Sequence, residues 1–298
     1  MSRILLVVIP LLSGLLAAGC SDDSERPREE STATPRPTKT TKVSFEPGKV
    51  VVLDPGTEPR RRLRLSLRAG HLETTTLTTV PTVADGKNGK PGAPVHVTVR
   101  THVTKVAHGR ITVEQEITDA HTDPGAPDEQ RVTARLATLA GVTMTTVFTT
   151  RGHPVRTQMR IPRGMSREAR RRIEEFCAWV TAQLTAPLPE EPVGIGARWQ
   201  VASVFDQAGV TTSGADTFTL VASDKDVLTL RMLLDRKLTD GGTGVIDRGG
   251  RSGHADVAVS LTSLYPVRWE SETTTAIERD GKIGVTSETT TVLTTSAE

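Results

Sequence analysis

Apolar and polar residues alternate with a period of two over most of the chain from Val50 onward. Leu63, Leu65 and Leu67 alternate with Arg62, Arg64, Ser66 and Arg68. Val95, Val97 and Val99 alternate with His96, Thr98 and Arg100, and Ile111, Val113 and Ile117 with Thr112, Glu114 and Glu116. Leu228, Leu230, Met232 and Leu234 form a similar series, as do Ala255, Val257, Val259 and Leu261. Successive side chains of a strand point to opposite faces, so this pattern predicts antiparallel strands with one dry and one solvated face. Turn-forming groups separate the runs: Ala107-His108-Gly109, Asp123-Pro124-Gly125, Arg151-Gly152-His153-Pro154, Ser223-Asp224-Lys225-Asp226 and Arg279-Asp280-Gly281. They predict hairpins.

One segment follows another period. Between Met165 and Leu184, Ala169, Ile173, Phe176, Cys177, Val180 and Leu184 recur at spacings of three and four, the stripe of an amphipathic helix. Ser166 suits the N-cap and Glu168 the first turn. Arg170 with Glu174, and Arg171 with Glu175, are one turn apart and can pair weakly. Pro187 and Pro189 end the helix.

The chain therefore reads as mainly β, a β-rich α+β protein: curved antiparallel sheets or an open half-barrel, with one helix at 164–186 between β-rich halves at 48–163 and 187–298. The halves share a plan. Each holds a hairpin (VTKVAHGRITVEQEI, LVASDKDVLTLRMLL) and closes on a Thr-rich one (TMTTVFTTRGHPVRTQMRI, ESETTTAIERDGKIGVTSETTT), which suggests a diverged duplication. Two glycine-rich stretches, Ala84 to Gly92 and Thr239 to Gly253, are expected as exposed, mobile loops. The second contains Gly249-Gly250-Arg251. A phosphate loop needs a strand, a glycine turn and a helix, and here a strand pattern follows with no Gly-Lys-Ser/Thr, so a solvated loop is expected.

The N-terminus has its own pattern. Arg3 precedes an apolar run from Ile4 to Leu16, too short for a stable membrane span, and Ala17-Ala18-Gly19 puts small residues before Cys20. This resembles the lipobox of bacterial lipoproteins, with Ala17 where leucine is usual. The resemblance implies a signal peptide at 1–19 and acylation of the Cys20 sulfur. Residues 20–47, rich in Ser, Thr, Pro and charge, read as a flexible tether. Ser21 after the acylated cysteine resembles an outer-membrane signal in a cell with two membranes. In other cells the anchor would leave the protein on the outer face of the plasma membrane.

Composition narrows the chemistry. Hydrophobic residues are 36% and charged residues 24% of the chain, enough for a sizeable core, and Thr and Val are abundant, as suits pleated strands. A net charge of +2 argues against a nucleic-acid partner. With Cys20 assigned to lipid, Cys177 has no disulfide partner and is expected as a small buried residue of the helix.

No metal site or cofactor is expected. His96 and His102 share a strand face but stand roughly 20 Å apart. His71, His108, His121, His153 and His254 are scattered, and no His-Glu-x-x-His occurs. There is no Gly-x-Ser-x-Gly elbow. Glu114 with Glu116, and Glu270 with Glu272, have a spacing compatible with glycosidase chemistry, but aromatics are only 3% of the chain, and sugar sites rely on aromatic platforms. Both pairs read as solvated strand faces. Arg60, Arg61, Arg62, Arg64 and Arg68, and Arg167, Arg170, Arg171 and Arg172, are clusters that could meet anionic lipid, though an exposed wet face explains them as well.

Pro192-Val193-Gly194-Ile195-Gly196-Ala197-Arg198-Trp199, between helix and strand, resembles a segment of a family of uncharacterised β-rich bacterial lipoproteins, as does LRLSLRAGHLETTT. The family brings no established activity and implies fold and location alone. The glycines permit a tight turn, and Trp199 can cover the end of the core. The expected function is a non-enzymatic binding or structural module in the cell envelope, held at the membrane by its lipid and meeting an envelope protein or hydrophobic ligand. A periplasmic carrier with a hydrophobic ligand in a β-cavity is an alternative, and a hydrolase assembled from distant residues is another.

Overall fold

Period-two alternation becomes one antiparallel sheet in a computed structural model, which describes residues 38–44, 49–84, 89–162, 164–183, 185–207, 209–242, 246–279 and 282–298. The strands are β1 (Thr38–Ser44), β2 (Val50–Asp54), β3 (Leu72–Ala84), β4 (Gly89–Pro91), β5 (Val95–Ala107), β6 (Arg110–His121), β7 (Thr143–Thr149) and β8 (Pro154–Pro162). After these come β9 (Arg198–Gln207), β10 (Val210–Asp224), β11 (Val227–Asp240), β12 (Arg248–Ser260), β13 (Arg268–Arg279) and β14 (Lys282–Ala297). Their order across the sheet is β1-β8-β7-β6-β5-β3-β14-β13-β12-β11-β10-β9-β2, with β4 attached to β3. Each half is a meander, and the halves meet where β3 pairs with β14, from Glu73 opposite Ala297 to Ala84 opposite Thr286.

The two outermost strands are close neighbours in sequence. β1 completes one edge by pairing with β8, and β2 completes the other by pairing with β9. Laid flat, twelve spacings of about 4.8 Å would separate the edges by about 58 Å. Ser44 and Val50, the facing ends of these strands, are joined by a stretch of chain that reaches at most about 22 Å. The sheet must therefore curl, and it does so without closing into a barrel. Thr38–Ser44 is thus a correction to the expected tether, whose remaining residues, with Cys20, lie outside the described residues.

Helix α2 (Arg167–Gln183) connects β8 to β9, the strands next to the two edges. The Ser166 hydroxyl accepts from the Ala169 amide at 3.1 Å, as an N-cap should. Ile173, Phe176, Cys177 and Val180 are buried in the core, and Thr41 of β1 donates to Glu174 at 2.6 Å. A second helix, α1 (Glu129–Leu136), was not expected from the sequence. It is only eight residues long and buries two of them, Val132 and Leu136, too few to set a helical period against the strands.

Three further expectations change. The alternating Leu63, Leu65 and Leu67 are buried but form no strand. Their segment crosses one end of the sheet instead, with the Leu65 amide donating to Thr150 O at 2.7 Å and the Ser66 amide to Leu261 O at 2.5 Å. Both predicted glycine loops contain strand: Gly89–Pro91 pairs with Thr82–Ala84, and β12 starts at Arg248. Their glycines answer a packing need, since a Cβ at Gly253 would overlap the Glu272 carbonyl on the next strand. Of the predicted turns, His108-Gly109, Arg151-Gly152 and Lys225-Asp226 form hairpins, with positive φ at His108, Gly109, Gly152 and Lys225, whereas Asp123-Pro124-Gly125 leads from β6 into α1. The Asp280-Gly281 turn lies outside the described residues.

Candidate functional site

The inner face of the curl is apolar around its middle and polar toward one end. Leu228, Leu230, Met232 and Leu234 of β11 point inward, and the same parity carries Arg236 inward. On β12 the inward series Val259, Val257 and Ala255 continues through Gly253 to Arg251. These two arginines are direct register partners. The row extends sideways without a break. Arg236 lies opposite Gly214, which lies opposite Ser203, and Arg251 lies opposite Thr275, which lies opposite Ser287.

The two cations have different surroundings. Arg236 is 4% exposed and grips Asp216 with two hydrogen bonds, Nε to Oδ1 at 3.1 Å and a second through its Nη2. The Phe205 ring lies 5.5 Å beneath its guanidinium carbon. Arg251 is 7% exposed and pairs with no acid among the described residues. Its Nη2 reaches Thr273 Oγ1 at 3.3 Å and its Nε has no partner. Burial first, then Arg236, pushes its pKa down to about 9, partly offset by Asp216. On its side of the row Thr275 Oγ1, Ser287 Oγ and Thr289 Oγ1 are also buried without partners, as is Ser203 Oγ at the far end of the row beyond Arg236.

The opposite end of the interior holds a hydrogen-bonded network around Glu73, beside which Thr101 Oγ1, on its register partner, is buried without a partner. The Glu73 carboxylate, 0% exposed, accepts from Ser263 Oγ at 2.8 Å and from the Leu264 and Tyr265 amides at 3.1 and 3.4 Å, with His71 Nε2 at 3.2 Å. Gln115 Nε2 donates to the Tyr265 hydroxyl at 2.5 Å, and Thr146 donates to Gln115 Oε1 at 3.1 Å.

Two arrangements lie on the outer face. A groove of about 310 Å³ runs over β3, β5, β6, β7 and β8, lined by Arg100, His102, Glu114, Glu116 and Arg160 among others. Separately, His96 Nδ1 lies 3.1 Å from Thr78 Oγ1 and its Nε2 lies 3.0 Å from Asp123 Oδ1, a hydroxyl–imidazole–carboxylate chain on open strands. His121 stacks on His96 at 4.9 Å and meets Asp119 at 2.8 Å. Spacing kept His96 and His102 apart, but strand pairing joins His96 to His121, which sequence reasoning missed.

The remaining candidates are mostly committed to the scaffold. Arg61 donates to Ser223 Oγ at 3.1 Å and to Lys225 O, and Arg64 to Pro189 O and Glu190 O at 2.9 and 3.0 Å. Arg171 pairs with Glu175 at 2.8 Å, Arg172 with Glu168, and Arg268 with Glu270. Cys177 is wholly buried, and burial followed by the Glu174 charge pushes its thiol up to about 12. Trp199 is buried at the end of the core, its Nε1 donating to Pro187 O at 3.0 Å and its ring 5.8 Å from Phe218. Among the described residues no three His, Cys, Asp or Glu side chains converge as a metal site would need, and no helix is long and apolar enough to cross a membrane.

The Arg236–Arg251 row had a legible signal. Both follow from carrying the inward parity further along their strands, two residues from Leu234 to Arg236 and four from Ala255 to Arg251, but one lay past Leu234 and the other inside a stretch that reads as loop.

No family model matches the sequence, and no curated protein matches it either. Among solved structures, the binding domain of botulinum neurotoxin DC in complex with SialylT aligns at 6% identity over 86% of this chain and 89% of that one, with a TM-score of 0.14. A structure titled as a receptor binding domain aligns at 5% identity over 86% and 88%, with a TM-score of 0.15. Overlap at that score carries no argument about fold or function. What this chain is rests on its own geometry: one curled antiparallel sheet whose inner face carries a buried, incompletely satisfied polar row.

Proposed function

We propose that this protein is a non-enzymatic binding module of the cell envelope, held at a membrane by acylated Cys20, whose ligand occupies the inner face of the curled sheet. The observation that carries the binding role is the polar row at Arg236 and Arg251. A buried cation and hydroxyls without partners cost stability, and a fold tolerates them where something else completes them. The buried charge at the other end, the Glu73 carboxylate, is met by donors from Ser263 and Leu264, whereas Arg251 Nε is met by none. The N-terminal pattern before Cys20 supports the anchor, and the span from Ser21 to Thr38 would let the sheet stand clear of a bilayer.

A hydrolase is the second reading, favoured by the Thr78–His96–Asp123 chain. Its weakness is the lack of an oxyanion site. Thr78 and His96 are paired residues of β3 and β5, each flanked by strands on both sides, so the neighbouring amides are taken up in the ladder.

Native mass spectrometry of protein gently extracted from its own envelope, alongside a Cys20→Ser variant, tests the first reading. The expected result is an N-terminal mass increase from acylation, a non-covalent companion, and loss of membrane partitioning in the variant. Unchanged partitioning of the variant, or protein that leaves the envelope without a companion, overturns it. Hydrolysis of an activated ester that disappears in Thr78→Ala would favour the second.

A further inference from the structure

We propose that Arg251, Thr275 and Ser287 form a binding site for a phosphate-type oxyanion on the inner face of the sheet. This rests on the reading of that face as the ligand site and names the chemistry the ligand must carry.

Charge supports an anion. Two guanidinium groups stand on adjacent strands as register partners, and among the described residues the acid beside them, Asp216, is engaged by Arg236 through both its oxygens. Arg251 is left as an uncompensated cation away from water. A buried charge in that state is strongly unfavourable unless an opposite charge joins it. With its pKa at about 9 it keeps its proton at neutral pH.

Geometry supports an oxyanion in particular. The unpartnered Arg251 Nε is a directional N–H donor. Thr275 is its register partner and Ser287 the partner of Thr275, and both hydroxyls are buried without partners. Neighbouring strands lie about 4.8 Å apart, so the three side chains bring their donors to one small region. A guanidinium flanked by hydroxyls is complementary to a tetrahedral group with several acceptor oxygens, whereas an apolar ligand would satisfy none of them and a cation would be repelled by Arg251. No glycine-rich phosphate loop is involved. The site is built from side chains in adjacent strands.

A free phosphate and a phospholipid head group share this chemistry, and two probes separate them. The full chain, purified in detergent, is titrated by calorimetry with sodium phosphate and separately with dioctanoyl phosphatidylglycerol, against sodium chloride at matched ionic strength. Saturable binding of either probe is expected. Binding of both would mean that the oxyanion alone suffices, and binding of the lipid alone would identify a head group.

Arg251→Met should weaken binding by at least about tenfold while the unliganded variant melts no lower than the parent, because the substitution removes an unpaired buried charge. Thr275→Val and Ser287→Ala should each weaken it several-fold, and they carry the test if Arg251→Met fails to fold. Arg248→Gln removes an exposed cation on the same strand, one that pairs with Glu278, and should leave affinity within about twofold.

Failure of both probes to bind the parent overturns the proposal, as does unchanged affinity in the folded variants. Partitioning of Cys20→Ser is blind to Arg251, so failure of the anchor is told apart from failure of this site.

Discussion

Glu73 accepts a hydrogen bond from Ser263, 190 residues later in the chain, and together they tie the start of β3 to the loop that closes β12. The same carboxylate holds the Leu264 and Tyr265 amides. Tyr265 then reaches Gln115 in the other half of the sheet. One acid thus joins the two meanders at the closed end of the curl.

Glu73→Ala should therefore be strongly destabilising. It leaves a buried hydroxyl and two buried amides without an acceptor, a loss of about 2–4 kcal/mol. Urea unfolding of this variant beside Glu114→Ala, whose site is exposed, checks it: the exposed substitution should change stability by less than about 0.5 kcal/mol.

Asp216→Ala removes the acid paired with buried Arg236 and should cost about 3–5 kcal/mol. The double variant Asp216→Leu with Arg236→Met removes both charges and should recover most of that loss. A double variant no more stable than Asp216→Ala would mean that the pair contributes through its contacts rather than its charge balance. Denaturant midpoints of the three proteins decide.

His153 gives the fold a pH dependence. Burial first, then the Arg151 charge, lowers its pKa from 6.5 to about 4, against a backbone hydrogen bond with Leu188 that raises it. The unfolded chain binds the proton at higher pH than the folded chain does. The stabilising contribution of neutral His153 is therefore complete above about pH 6.5 and is lost as pH falls from there toward 4, by up to about 3 kcal/mol. Unfolding free energies measured at several pH values between 7 and 4.5 should show this decline, and His153→Asn should flatten it.

Removing residues 1–44 deletes β1 and exposes the β8 edge along Arg156–Pro162. An uncovered edge strand recruits other chains. The truncated protein should form oligomers in size-exclusion chromatography at concentrations where the full chain does not, and it should melt earlier, since the Thr41–Glu174 bond to α2 goes with the strand. A monomer of unchanged stability would show that β1 adds nothing to the closure of the sheet.

Much of the architecture was legible without coordinates. Val95-Val97-Val99 and Leu228-Leu230-Met232-Leu234 form inner faces as their period requires, His108-Gly109 and Lys225-Asp226 turn their hairpins, and Ser166 caps α2. The local readings that failed did so for local reasons. The Leu63-Leu65-Leu67 alternation marks an extended segment buried on one side, which needs no ladder. Gly249 and Gly253, on either side of Arg251, mark close strand approach, which composition cannot tell from a loop.

What the sequence determined by itself is which residues share a face, because pleat and helix periods are set by backbone sterics within a few residues. Which strands become neighbours was left to the tertiary structure, since pairing joins positions far apart in the chain. Only there does β1 meet β8 while β2 meets β9, His96 meet Thr78 and Asp123, and Arg251 meet an Arg236 that already holds Asp216. A charge becomes unpaired and buried through its neighbours on other strands, and those neighbours exist only once the sheet has curled.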